Sequence, residues 1–163
     1  MRSFVIFTIG LFFASGLYGQ HNSSIDINSP FSQGPQIEHT TSRGETIFGN
    51  TSNQYGRLDE LTRGNFFYCE TAANILEHKF YLDPIESGDM WFMVYECSSN
   101  IGTYNLISRS HVTDVGPGAG WYSSGTVDVP MVEGNYYLIA TRWDMPCYWY
   151  NQQDVSPFPF DCE

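Results

Sequence analysis

Between Asn65 and Tyr150, short runs of aromatic and β-branched residues are cut every eight to twelve residues by Gly, Pro, Asn or Asp. That rhythm constrains the fold more than any other feature of the chain. The runs are 65–69, 75–82, 90–97, 103–112, 121–132, 136–143 and 147–150. Their even spacing predicts an all-β chain built as an antiparallel β-sandwich rather than as alternating strands and helices. Helix has room for a single turn only, at Asp59 to Thr62 or at Thr71 to Leu76.

Alternation separates central strands from those with one wet face. In Leu76 to Leu82, Leu76, His78, Phe80 and Leu82 share one face, while Glu77, Lys79 and Tyr81 take the other. The run Met90-Trp91-Phe92-Met93-Val94-Tyr95 is apolar on both faces and is expected to be a central strand, with Tyr136 to Ala140 as its equal. Turns are marked at Asp83-Pro84 with Ser87-Gly88-Asp89, at Gly116 to Gly120 and at Glu133-Gly134-Asn135.

The chain begins with one basic residue, Arg2, before an apolar run from Phe4 to Phe13, followed by the small residues Ala14, Ser15, Gly16 and Gly19. This is the pattern of a secretory signal covering 1–19, with cleavage near Gly16 or Gly19, and the run is shorter than the roughly 20 residues of a membrane span. The mature chain is expected to be secreted or displayed at the cell surface, without membrane insertion. A polar leader over 20–44 precedes the β-sandwich domain over 45–151, in which Ile47-Phe48 is expected to form a short strand. An extended tail over 152–163 carries Pro157 and Pro159. Asn22-Ser23-Ser24 and Asn50-Thr51-Ser52 match the N-glycosylation acceptor pattern.

Cysteine usage agrees with export. Cys69, Cys97, Cys147 and Cys162 form an even set without C-x-x-C spacing, so structural disulfides are expected rather than zinc or redox chemistry. Three connectivities exist, and proximity in sequence favours Cys69 with Cys97 and Cys147 with Cys162. Charge narrows the partners: seven Lys plus Arg against 18 Asp plus Glu give a net charge of -11, a surface that repels phosphate backbones and speaks against nucleic acid.

The succession of Arg63-Gly64-Asn65, Phe80-Tyr81-Leu82, Phe92 to Glu96, Gly102 to Ile107, Gly118 to Gly125, Gly134 to Ala140 and Trp143-Asp144 resembles uncharacterised β-sandwich modules of secreted and surface-exposed bacterial multidomain proteins. The resemblance covers roughly Arg63 to Tyr150. It implies a jelly-roll-like or galactose-binding-like accessory module without an agreed activity. Two features depart from it: the module stands almost alone, and it carries four cysteines.

Catalytic signatures are sparse. His111 and Asp114 lie close enough in sequence for an acid/base pair, but no activated nucleophile accompanies them, and Asp114 opens a turn. His78 reads as a hydrogen-bonded sheet residue, and His21 and His39 fall in the leader. Glu77, Glu96, Asp128 and Glu133 are the carboxylates from which a glycoside hydrolase would need two across a cleft. Asp83, Glu86 and Asp89 offer hard oxygen ligands for a structural Ca²⁺, although a plain acidic turn accounts for them as well.

Aromatic residues, 17% of the chain, carry the strongest functional hint. Trp143, Asp144, Trp149 and Tyr150 cluster beside a turn, and Trp121 opens the run after the Gly-rich loop. Sugar rings stack their C–H faces on such side chains while Asp and Asn take the hydroxyls. Core packing is the better account of Trp91 and Trp121; either role fits Trp143 and Trp149. The expectation is an exported, non-catalytic binding or adhesion module with a glycan or other cell-surface ligand. The alternative is a subunit of an extracellular assembly whose leader pairs as a strand with a neighbouring copy, and a glycan-active hydrolase comes third.

Overall fold

The computed structural model describes residues 61–150 together with the strand backbones at Arg2–Thr8, Ser24–Ile27, Glu45–Phe48 and Gln54–Leu58. In chain order the strands are β1 (Arg2–Thr8), β2 (Ser24–Ile27), β3 (Glu45–Phe48), β4 (Gln54–Leu58), β5 (Leu61–Tyr68), β6 (Ala73–Pro84), β7 (Gly88–Cys97), β8 (Gly102–Val115), β9 (Gly120–Met131), β10 (Tyr136–Trp143) and β11 (Cys147–Tyr150). Among the described residues there is no helix. Each of the seven apolar runs lies on its own strand, because Gly and Pro end them where the backbone must reverse. Gly134, at φ 86°, turns β9 into β10 in a conformation that side-chain-bearing residues seldom adopt.

Two sheets result. The first runs β3-β1-β6-β11-β4, with β9 on the other side of β6; the second runs β2-β8-β7-β10-β5. Pairing is antiparallel throughout, except that β1, inside the segment read as an export signal, runs parallel to β3 and β6. The expected cleavage region, most of the leader and the C-terminal tail lie outside the described residues.

The two sheets face each other across two apolar clusters that draw on both. At one end Phe67, Ile75, Val94, Val129, Met131, Tyr137 and Ile139 pack together. At the other, Phe80, Leu82, Met90, Phe92, Val115, Trp143, Met145, Cys147 and Trp149 do. Each such side chain withdrawn from water stabilises the fold by roughly 1.5–3 kcal/mol. A third cluster, with Met93, Tyr95, Tyr104, Leu138 and Ala140, lies on the opposite face of the second sheet. Thus β7 and β10 are central and covered on both faces, as their unbroken apolar runs require.

Two expectations need correction. On β6, Ile75 rather than Leu76 is buried with His78, Phe80 and Leu82, because the pairing with β9 shifts register between Ile75 and Glu77 and moves the alternation by one residue. The expected Cys69–Cys97 bridge is not formed, and Cys69, Cys97 and Cys147 make no disulfide with one another. Tyr136 of β10 pairs with Tyr68 on one side and Cys97 on the other, so Cys69, just beyond Tyr68, stands two strands from Cys97. Two strand spacings are about 9.6 Å, beyond the roughly 7 Å that a disulfide spans. Cys162 lies outside the described residues.

Candidate binding face

The first sheet turns a row of aromatic rings outward. Cross-strand pairing sets Trp121 of β9 opposite Tyr81 of β6, and their rings meet edge to face at 5.3 Å and 73°. Tyr81 makes the same kind of contact with Tyr150 of β11, at 4.9 Å and 76°. The row is fixed by alternation: Phe80 and Leu82 point into the core, so Tyr81 between them must point out. Trp121 remains 36% exposed, whereas Tyr150 at the end of the row is 8% exposed.

Polar groups border the row along β6. Tyr148 pairs with Asp83 on one side of Tyr81. On the other side Lys79 and Glu77 form an ion pair at 3.3 Å, and the Ser123 hydroxyl donates to Glu77 Oε1. An exposed indole braced edge to face by a second ring, with carboxylate, ammonium and hydroxyl groups on the same sheet face, can stack on the apolar face of a sugar ring while the polar groups hydrogen-bond its rim.

The other aromatic candidates sit elsewhere. Trp143 is 0% exposed and Trp149 4% exposed, both within the core cluster between the sheets, so neither serves as a surface platform. Trp143 points inward because its strand neighbours Thr141 and Ile139 do, on the face of β10 that meets the first sheet. Its Phe80 contact is ring on ring at 5.8 Å. Asp144 is occupied by backbone: its Oδ1 accepts the Asp89 N–H at 2.7 Å while its own N–H donates to the Asp89 carbonyl, clasping the start of β7 to the turn before β11.

Asp83, Glu86 and Asp89 do not come together as a metal-binding group, and among the described residues no three potential ligands do. The Asp89 carboxylate is instead turned toward β8, with Oδ2 at 2.7 Å from His111 Nε2 and Oδ1 accepting the Asp114 N–H. His111 thus pairs with Asp89 rather than with Asp114. The His111 ring stacks on Trp91 at 4.7 Å and 7°, and the Arg142 guanidinium lies over the same indole at 4.8 Å. Asp89, Trp91, His111 and Arg142 therefore form one cross-strand assembly on the outer face of the second sheet, with Trp91 only 7% exposed beneath it.

Of the four candidate carboxylates, Glu77 belongs to the aromatic face and Glu133 to an exposed turn. Glu96 and Asp128 line one groove of about 450 Å³ where β8 and β9, from different sheets, pass each other. Glu96 Oε1 accepts hydrogen bonds from the Tyr137 phenol and from Asn135. Burial and then that hydrogen bond hold the Tyr137 phenol well above its ordinary pKa. Asp128 Oδ1 accepts from Asn74 at 2.6 Å.

The sequence placed Tyr81 on the wet face of its strand but did not mark it as a site residue. The signal was its alternation with Phe80 and Leu82; what was missing was the register that sets Trp121 against it. No family model, curated protein or solved structure matches the chain.

Proposed function

We propose that this chain is an exported, non-catalytic module of jelly-roll-like build that binds carbohydrate on the outer face of β6, β9 and β11. The observation that carries the reading is the Trp121–Tyr81–Tyr150 row, whose leading indole stays exposed on the sheet face along which Lys79, Glu77 and Ser123 interact. Buried rings need no partner to account for them; a surface tryptophan ordered by a second ring gives a ligand a preformed platform. The resemblance to accessory modules of bacterial surface proteins fits the exported, jelly-roll-like part of this reading. The test is binding of the mature domain to a broad glycan panel, with and without calcium, beside Trp121→Ala and Tyr81→Ala variants. Selective binding lost in both variants supports the reading, and a folded wild type that binds no glycan rejects it.

A second reading, the assembly subunit, is favoured by β2. Ser24–Ile27, within the polar leader, pairs antiparallel with Gly102–Asn105 on the side of β8 away from β7. A leader that adds a strand to its own sheet edge can add the same strand to the edge of another copy. Deleting the leader separates the readings: assembly is lost and glycan binding kept if the leader joins copies.

A further inference from the structure

We infer that the groove between β8 and β9 is an acceptor site for an extended, basic peptide segment of a separate partner protein. The site is distinct from the aromatic face and does not depend on the glycan reading.

Both walls of the groove are sheet edges. Among the described residues, β8 is paired on its outer side only by β2, over Gly102–Asn105, and β9 is paired only with β6. A row of outward N–H and C=O groups on β8 beyond Asn105 is a template for a further strand. The pairing of β2 shows the direction, since an extended segment already lies antiparallel on the same edge at its near end. The β9 wall is less suited to the ladder, because Pro130 carries no N–H to donate. An incoming strand would therefore hydrogen-bond to β8 and lay its side chains against β9.

The lining fits alternate side chains of such a strand. Ile107 is the extra residue where β8 slips against β7, between the pairs Val94↔Ser108 and Tyr95↔Leu106. The bulge frees it from the ladder and presents it at the groove, 40% exposed. Val132, at the other end, is 54% exposed, and Val127 and Val129 lie between. Two of the five large exposed apolar residues described thus line this one groove.

Charge selects the partner. Glu96 is held in place from below by Tyr137, which also accepts the Val132 N–H, and by Asn135. Asp128 joins it across the groove against a single cation, Arg109. A basic side chain in the incoming segment meets an oriented carboxylate. A second copy is the poorer occupant, because each chain carries a net charge of -11.

The test uses a short peptide of alternating valine and threonine with one central arginine, and the same peptide with glutamate in its place, titrated against the mature chain. Hydrogen exchange reads the site and calorimetry the affinity. The arginine peptide is expected to protect amides within 106–112 and to bind about tenfold more tightly than its glutamate twin. Glu96→Gln, which can still accept from Tyr137, should abolish that preference and keep the protection, while Ile107→Ser should weaken both peptides. No protection of 106–112 at millimolar peptide overturns the inference, as does equal affinity of the wild type for the two peptides. Protection of 106–112 that grows with chain concentration in the absence of peptide overturns it too, by making a second copy the occupant.

Discussion

Across the core, the ring of His78 on β6 and the hydroxyl of Thr141 on β10 meet at 3.3 Å, the Nε2–Oγ1 contact bridging the two sheets. His78 is 1% exposed and packs edge to face on Phe92, and its Nδ1 finds no hydrogen-bond partner among the described residues. Burial alone disfavours the imidazolium and lowers the His78 pKa from 6.5 to about 3.

The consequence is a stability that falls on acidification before the carboxylates titrate. Below about pH 6.5 the unfolded chain binds a proton at His78 that the folded chain refuses until about pH 3, so folding loses up to about 1.4 kcal/mol per pH unit within that window. His78→Gln keeps a polar contact within reach of Thr141 and removes the titration. Urea unfolding between pH 7 and pH 5 should show a slope in the wild type that the variant lacks, and parallel slopes would place the charged ring within reach of water.

The tryptophans should divide into two kinds. Trp143→Ala leaves a cavity among Phe80, Met90 and Phe92 and is expected to cost about 3–5 kcal/mol. Trp121→Ala gives up an exposed edge-to-face contact worth about 1 kcal/mol and should leave the unfolding midpoint near that of the wild type while removing glycan binding. Denaturation and glycan titration on both variants check the division; loss of glycan binding in a still-folded Trp143→Ala alone would return the platform to the buried ring.

How these rings divide could not be read from the sequence, although the strands could. Strand positions follow from runs and breakers that are local, and each of the seven runs became a strand. Whether a ring points in or out depends on one residue of register. Trp143 and Trp121 both sit in aromatic runs, but Trp143 shares its face with Ile139 and Thr141, whereas Trp121 stands opposite an outward Tyr81. The register shift at Ile75 is likewise invisible to a pattern of period two, since it inserts a residue into that pattern. Cys69 and Cys97 failed as a pair for a topological reason: β10, much later in the chain, enters between their strands. The pairing of His111 with Asp89, 22 residues apart, is also a product of strand pairing, while the nearer Asp114 only offers its backbone.

The thiols are expected to differ in reactivity. Burial, with a smaller contribution from the Asp83 charge, pushes the Cys147 thiol up to about 12, so little thiolate forms near pH 8. Cys97 is half-buried at the end of β7. Iodoacetamide at pH 8 should therefore modify Cys97 in the folded chain and spare Cys147. Peptide mapping after unfolding without reductant then reports on the Cys147–Cys162 pairing: both residues labelled means no bridge, both blocked means the bridge is present. Fast native labelling of Cys147 would contradict its burial.

Gly64 of β5 lies tightly against β10. A Cβ added there would lie 2.7 Å from the Ile139 carbonyl oxygen and 2.8 Å from the Ala140 Cβ, directly across the register pair Gly64↔Ala140. These are backbone and a stub side chain, which cannot swing aside, so Gly64→Ala must push β5 off the central strand. We expect a loss of about 2 kcal/mol, as for other overpacked interiors. Gly120→Ala is the matched control, because a Cβ at the start of β9 meets nothing within 4 Å and the backbone there is not left-handed. That variant should be neutral or gain about 0.5 kcal/mol from the stiffer unfolded chain. Equal unfolding midpoints for the two variants would show that β5 packs less closely on β10 than this register requires.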